Sequence, residues 1–279
     1  MTPTTTAAVP ESAAQDVGTR SANPGLAEDR SMARPGVEAG AARARGKTFA
    51  KEPVRVLPSA RNVMAVIARP GRESVQLGAL MYAFRRSGAR VSLLCLTRGE
   101  ASPLNSTCER LETVRLWELQ VAAGLLGVSS VTVSDYPDGG LSLALVPALA
   151  ERVRRAVRQD APDLLLVVDP AAGDPDDAWV AQAACLAAGS AGVPVLARTL
   201  PGARIGWQID LGAEAAAARA VQRCAAGAHV SQSAAGPMVR RCLDLLGGRE
   251  QLFWLVRPPA DFGAGEEQAA AASFAPALG

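Results

Sequence analysis

Acidic side chains concentrate in one short stretch of the chain, DPAAGDPDD at residues 169–177. It holds four aspartates within nine residues, namely Asp169, Asp174, Asp176 and Asp177. Carboxylate oxygens are the ligands that Mg²⁺ and Ca²⁺ prefer, so a hard-cation site is one interpretation. A solvated acidic loop is the default interpretation, and the nearby arginines of residues 69–73 favour it.

Those arginines belong to a second candidate segment, RPGRE, in which Arg69, Arg72 and Glu73 separate an apolar run from a helical pattern. Guanidinium groups at a helix N-terminus suit a phosphate or carboxylate ligand. Glu73 can instead orient the loop through backbone amides, as carboxylates in a first helical turn do.

Histidine and cysteine offer little conventional chemistry. His229 is the single histidine, which excludes a multi-histidine metal site; a structural role is favoured, with a general acid as the alternative. The scattered cysteines form no CxxC pair, which predicts reduced, mostly buried thiols. They are Cys95, Cys108, Cys185, Cys224 and Cys242.

Short apolar runs alternate with helical patterns from about residue 63 onward. The runs predict strands at residues 63–68, 91–96, 131–133, 164–168 and 193–197, and the helical patterns lie at about 77–86, 108–126, 145–158 and 178–188. Such alternation indicates right-handed βαβ units. We therefore expect a single Rossmann-like, doubly wound α/β domain, with a mainly parallel sheet and helices on both faces.

In a sheet of this type, ligands bind beyond the carboxyl ends of the strands. The segments there are residues 69–73, 97–102, 135–140 and 169–177, so any chemistry should come from these four. These four segments carry no GxGxxG, P-loop or GxSxG pattern, which argues against dinucleotide, nucleotide and nucleophile-elbow sites.

The composition of the chain bounds its organisation. Residues 1–58 and 263–279 lack a hydrophobic period. We therefore expect a disordered N-terminal extension, an α/β domain over residues 59–262 and a flexible C-terminal tail. A true start codon at Met32 or Met64 is the alternative explanation of the extension. A balance of 29 basic and 27 acidic residues with 4% aromatics argues against nucleic acid. Without a long apolar run or a secretory signal, a cytoplasmic protein without membrane contact is expected.

Taken in order, the loops resemble motifs of the PIG-L/LmbE family of zinc-dependent N-deacetylases. The family's A-H-P-D-D-E, T-x-G-E, P-D-G-G, G-H-P-D-H and H-x-S-Q motifs correspond to residues 68–73, 97–100, 137–140, 173–177 and 229–232. The resemblance covers roughly residues 61–258, and its specificity comes from five motifs in order at fitting spacing.

The resemblance implies a zinc hydrolase that removes acetyl groups from N-acetylglucosamine-type sugars or cleaves related amides. Carried over, the three zinc-ligand positions hold Arg69, Arg72 and Asp177, and the general-base position holds Gly71. A protonated guanidinium has no lone pair for Zn²⁺, and a zinc site normally needs three protein ligands. We therefore expect neither zinc nor another cofactor, and we expect Arg69 and Arg72 to pair with Asp174 and Asp177 across the site.

Three hypotheses follow from this pattern. The first is a pseudoenzyme that keeps the fold and binds a small anionic or sugar ligand, or a paralogous protein. The second is an enzyme of altered chemistry, with catalytic candidates Glu73, Asp138, Asp176 and His229. The third is an active deacetylase or amidase with other ligands, which one histidine makes the weakest. The resemblance places the substrate-binding candidates at Arg69, Arg72, Arg98, Glu100 and Asp138.

Overall fold

The computed structural model describes residues 54–101, 110–199, 206–235, 247–259 and 262, all within the compact unit Phe49–Gly279. The strands are β1 (Val54–Arg55), β2 (Asn62–Ile67), β3 (Arg90–Thr97), β4 (Ser130–Tyr136), β5 (Leu164–Val168), β6 (Val195–Thr199), β7 (Trp207–Asp210) and β8 (Arg249–Val256). The helices are α1 (Gly78–Arg86), α2 (Leu111–Leu126), α3 (Val146–Asp160), α4 (Pro175–Ala191) and α5 (Ala215–Gly227).

These strands form one sheet in the order β1-β7-β8-β6-β5-β2-β3-β4. Its pairs are parallel except those that β8 makes with β6 and β7. The crossovers between parallel neighbours run through helices, as βαβ units require. The expected α/β fold with a mainly parallel sheet is therefore confirmed.

Helices cover both faces of the sheet because the central strands are apolar on both sides. In β2, Val63, Ala65 and Ile67 face the cluster beneath α1, α2 and α5, and Met64 and Val66 face the cluster beneath α3 and α4. This alternation follows from the two-residue period of a strand. It buries a separate apolar layer on each side.

Several element boundaries differ from the sequence predictions. Helix α4 begins at Pro175, so Asp176 and Asp177 lie in its first turn rather than in a loop, and the carboxylate of Asp174 caps it by accepting from the Asp176 N–H. Asp135 and Tyr136, predicted as loop, belong to β4. The helix expected to close at Gly127 does so, with that glycine at φ +73°.

The N-terminal boundary expected at residue 58 is too late, because β1 lies inside the segment expected to be disordered and pairs with β7. Two residues carry no readable hydrophobic period, so the sequence gives no sign of this strand. Residues 1–53 and 263–279 lie outside the described residues, as do Cys108 and Cys242.

The described cysteines, Cys95, Cys185 and Cys224, are free thiols, and burial raises the pKa of Cys95 well above its usual value. In the described part of the chain, no helix has both the length and the apolar character needed to cross a bilayer.

Candidate functional site

The candidate site lies where the carboxyl ends of β2, β3, β4 and β5 meet. The segment after β2 carries Arg69 and Arg72, the turn after β4 carries Asp138, and the segment after β5 leads into Asp174 at the start of α4. Parallel strands bring these segments to one edge of the sheet. The four segments singled out from the sequence are therefore neighbours in space.

Arg69 joins three of these segments. Its Nε lies 2.9 Å from Asp138 Oδ1, although that N–H does not point at the oxygen, and its Nη2 donates to Asp174 Oδ1 at 3.1 Å and to Asp176 Oδ2 at 3.2 Å. One guanidinium thus bridges the turn after β4 and the start of α4. Such a planar fork suits several carboxylates at once.

Arg72 makes the second bridge to α4. Its Nη2 donates to Asp174 Oδ2 and lies 3.3 Å from Asp177 Oδ2. The expected pairing of the two arginines with Asp174 and Asp177 is confirmed, with Asp138 and Asp176 added to it. We call these six residues the site network: Arg69, Arg72, Asp138, Asp174, Asp176 and Asp177.

Two catalytic candidates of the site network are engaged as hydrogen-bond acceptors. Asp176 accepts from the N–H groups of Gly139 at 2.9 Å and Leu141 at 3.3 Å, which fixes the Asp-Gly-Gly turn. Asp138 accepts from the Ala101 N–H at 3.2 Å. Burial raises the pKa of Asp138, and the charge of Arg69 opposes that rise. Both aspartates therefore hold backbone in place.

Asp177 differs from the other members of the site network. Its side chain is 1% exposed, and within the described part of the chain neither oxygen accepts a hydrogen bond. Burial raises the pKa of Asp177 to about 6, and the charge of Arg72 only partly opposes this. A buried carboxylate without donors is costly, so this residue is the weakly satisfied member of the network.

The remaining catalytic candidates, Glu73 and His229, form a buried pair beside the site. His229 Nε2 lies 2.6 Å from Glu73 Oε1 and 3.4 Å from Ser74 Oγ, and Ser74 donates to Glu73 at 2.6 Å. Burial alone would raise the pKa of Glu73, but the hydrogen bond and charge of His229 outweigh it and the pKa is lowered. Both partners contact the same ring nitrogen, so this is not the relay of a catalytic triad, in which base and orienting acid use opposite nitrogens.

An open depression of about 510 Å³ adjoins the site network. Its lining includes both arginines, whose side chains are 24% exposed, together with Asp174 and Asp176. Backbone of the two glycine-containing turns, at Gly139 and Gly173, completes one wall. A small molecule in this space would meet guanidinium groups and main chain first.

Comparison with known proteins identifies the fold and the motifs. A family model described as PIG-L, GlcNAc-PI de-N-acetylase, matches residues 64–188, a range that contains the whole site network. Over residues 64–188 the chain is similar to the PIG-L/LmbE family. A search of curated protein sequences gives no significant match.

The solved structures that this chain resembles are of proteins with different named activities. A deacetylase of the teicoplanin biosynthetic pathway, in a triple-mutant form, is 19% identical, with a TM-score of 0.59 over 72% of this chain and 99% of the other. The N,N'-diacetylchitobiose deacetylase from Pyrococcus horikoshii is 16% identical, with a TM-score of 0.56 over 72% and 85%. The 4-carboxy-2-hydroxymuconate hydratase of Pseudomonas putida is 17% identical, with a TM-score of 0.52 over 72% and 98%. These likenesses establish the fold and leave the reaction open.

The zinc expected of a PIG-L deacetylase does not fit the residues present. Arg69 and Arg72 stand at two of the three ligand positions, and both guanidinium groups pair with Asp174. Arg72 also pairs with Asp177, which holds the third ligand position. Among the described residues, no three His, Cys, Asp or Glu side chains are grouped so that they could hold a metal ion. Two fixed positive charges would also repel a divalent cation at this distance.

The general-base position of the PIG-L motif holds a glycine whose backbone is in the left-handed region. Gly71 has φ +98°, and a Cβ built there would lie 3.1 Å from the amide of Gln232. Gln232 is held in place because its Nε2 donates to Pro70 O at 3.2 Å. A side chain at residue 71 would therefore need both a strained backbone and a displaced glutamine.

The other predicted sugar-binding residues do not line the depression. Arg98 and Glu100 are exposed, and Glu100 accepts from the Asp138 N–H at 2.9 Å, which ties the β3 segment to the turn after β4. The structure thus brings Arg69, Arg72 and Asp138 into the network and leaves Arg98 outside its ion pairs.

Two buried charged residues that hydrogen-bond to segments 97–100 and 229–232 escaped the sequence analysis, Arg115 and Glu118 of α2. Arg115 is buried and donates through Nη1 to Gly99 O, and Glu118 accepts from the N–H and hydroxyl of Ser231 at 2.6 and 2.7 Å. Burial lowers the pKa of Arg115, and the charge of Asp138 opposes that change. The helical period that places both residues on the buried face with Leu119 was the available signal.

Proposed function

We propose that this chain does not carry out zinc-dependent N-deacetylation and acts as a ligand-binding protein with the PIG-L/LmbE fold. The supporting observation is the pair of guanidinium groups at ligand positions, each engaged with carboxylates. Without a bound metal, no hydroxide is generated at neutral pH by the route that the family uses.

The catalytic candidates support the same conclusion, because each already has a structural task. Asp138 and Asp176 accept backbone N–H groups, and Glu73 is paired with His229 in the interior. A general base must reach the substrate proton within hydrogen-bonding distance. Carboxylates whose oxygens already accept these hydrogen bonds are poor bases for a ligand in the depression.

The test is metal content and acetate release. Protein purified in the presence of added zinc is analysed by plasma mass spectrometry, and acetate release is measured from N-acetylglucosamine and N,N'-diacetylchitobiose. We expect substoichiometric zinc and no acetate above the rate without protein. Zinc bound at one equivalent, or zinc-dependent acetate release, would overturn the proposal.

A variant with the PIG-L ligand set restored provides the positive control. It combines Arg69→His, Gly71→Asp, Arg72→Asp and Asp177→His, with Gln232→Ala to make room for the new residue 71 side chain. We expect this variant to take up zinc. A matched variant, Arg61→His with Arg90→Asp at the amino edge of the sheet, measures non-specific uptake.

A further inference from the structure

Helix α2 has the reverse of the pattern expected of a surface helix, whose charged residues face the solvent. Beyond its first two residues, its charged residues are Arg115 and Glu118, and both are buried, at 1% and 2% exposure. Arg115 donates to Gly99 O, and Glu118 accepts from the N–H and hydroxyl of Ser231. These buried hydrogen bonds fix the rotation of α2 about its own axis.

The outward face of α2 is consequently uncharged. The residues that share this face at helical spacing are all exposed or half-buried: Thr113, Val114, Trp117, Gln120, Val121, Gly124 and Leu125. The side chain of Trp117 is 67% exposed and that of Leu125 is 47% exposed. Interfaces between proteins are depleted of charge at their centre and enriched in aromatic residues, with tryptophan a frequent hot spot. The outward face of α2 therefore has the composition of an interface.

Helix α3, on the other side of the sheet, has the usual pattern. Its apolar residues Leu149 and Val153 are buried in the core. Its outward face carries charged residues that pair with one another, namely Glu151, Arg154, Arg155 and Arg158. Both helices cover the same sheet, so the uncharged face of α2 is particular to that helix and does not follow from the composition of the chain.

The outward face of α2 is complementary to a second copy of itself. In an antiparallel pair of helices with a twofold axis between Gln120 and Val121, residue 117 of each helix lies opposite residue 124 of the other. Trp117 is the largest residue of the face and Gly124 is the smallest, and a Cβ added at Gly124 would meet no atom within 4 Å. Each indole thus meets the open surface of the other helix, and no like charges are brought together.

We propose that α2 forms the centre of a twofold interface between two copies of this chain. The outward face is about 18 Å long, and helix α5, which packs beside α2, adds the exposed residues Ala217 and Ala220. A surface of this size lies at the lower end of specific interfaces, about 600 Å² per partner, so we expect a weak dimer. The inference concerns assembly and does not depend on the use of the depression.

Sedimentation velocity of the full chain, at concentrations from about 1 to about 300 µM, measures this association. We expect a monomer–dimer equilibrium with a Kd of about 10–100 µM. Gly124→Gln fills the space opposite Trp117 of the other copy and should weaken association at least about tenfold. The matched control is Gly189→Gln, because Gly189 of α4 is also an exposed helical glycine with open space around it. Glutamine favours a helix over glycine at both positions, so the two variants keep the fold.

A second pair of variants introduces charge instead of bulk. Trp117→Lys places a lysine of each copy in the centre of the interface and should leave the chain monomeric even at about 300 µM. Leu186→Lys changes a 47% exposed apolar residue of α4 and should leave the association as it is. A monomer at every concentration, or an association that both α2 variants leave unchanged, would overturn the inference.

Discussion

Two ion networks in the molecule are built on opposite plans. The core network joins Arg198 of β6, Glu250 of β8 and Arg219 of α5, and all three side chains are buried. Arg198 Nε donates to Glu250 Oε2 at 2.9 Å and Arg219 Nη1 donates to Oε1 at 2.5 Å, so each carboxylate oxygen has its own guanidinium. In the site network, carboxylates outnumber guanidinium groups and Asp177 accepts no hydrogen bond.

The contrast separates structural ion pairs from a site. Burying charges is tolerated when the opposite charges and hydrogen bonds are complete, and it is costly when they are not. Arg219 completes its bonds with the carbonyls of Gly247 and Arg249, at 2.8 and 3.0 Å. The site network, in which Asp177 accepts no hydrogen bond, lies at the edge of the sheet where ligands bind. In the core network on β6, β8 and α5, both carboxylate oxygens of Glu250 are paired, although Arg198 Nη2 has no hydrogen-bond partner among the described residues.

The largest expected effect comes from breaking the core network. Glu250→Gln removes the negative charge that faces Arg198 and Arg219, so two buried guanidinium groups lose their counter-ion. We expect the free energy of unfolding to fall by about 3–5 kcal/mol, measured by urea denaturation.

The control is a half-exposed ion pair of the same type, Arg249 with Asp210 at 3.6 Å. Asp210→Asn should change the free energy of unfolding by less than about 1 kcal/mol. Similar losses in the two variants would mean that burial and saturation do not distinguish the core network from surface pairs.

The core network also shows where sequence reasoning stops. The central parallel strands were predictable because runs such as Leu164–Val168 are apolar and short. Strand β7 has four residues and α5 is built largely from alanine, so neither carries a strong apolar signal. Because β7 was missed, the antiparallel placement of β8 between β6 and β7 could not be foreseen.

The site was more predictable than its periphery. Opposite charges on Arg69 and Asp174 follow strands whose carboxyl ends share one edge, so their pairing could be inferred from order along the chain. The unsatisfied state of Asp177 could not, because it depends on which donors reach a given oxygen in three dimensions. Likewise, only the fold shows that Gln232 lies against Gly71.

Asp177→Asn tests the site network, and here we expect stability to rise rather than fall. The substitution removes a buried negative charge that destabilises the folded state. The pKa of Asp177 is raised to about 6, because burial outweighs Arg72 while Asp174 adds to the rise and Arg69 opposes it. The proton thus stabilises the fold; this contribution is complete below the unfolded pKa of about 3.9 and is lost as pH rises through about 6.

At about pH 7.5 we therefore expect the asparagine variant to gain about 1–3 kcal/mol in free energy of unfolding over the unmodified protein. At about pH 4 the gain should shrink toward zero, since the native carboxyl is then protonated as well. Urea denaturation at the two pH values measures both. A loss of stability at neutral pH would show that the Arg72–Asp177 contact outweighs its burial cost, and the difference between the two networks would disappear.

The smallest effect concerns the backbone beside Arg72. Gly71→Ala and Gly173→Ala introduce the same side chain at nearly the same backbone angle, φ +98° and +95°, but only the first meets a neighbour, the Gln232 amide at 3.1 Å. Each should lose about 1–2 kcal/mol from the left-handed backbone, and Gly71→Ala should lose up to about 1 kcal/mol more by displacing Gln232.

Adding Gln232→Ala to both variants isolates that contact, since the extra loss should vanish only in the residue 71 pair. If the extra loss of stability in Gly71→Ala persists without the glutamine side chain, it arises from disturbed ion pairs of Arg69 and Arg72. Residue 71 lies between these two arginines in the chain, so a backbone change there would displace them. The loop would then be held by the site network more tightly than its incomplete hydrogen bonding suggests. The difference between the site network and the core network would then be confined to Asp177.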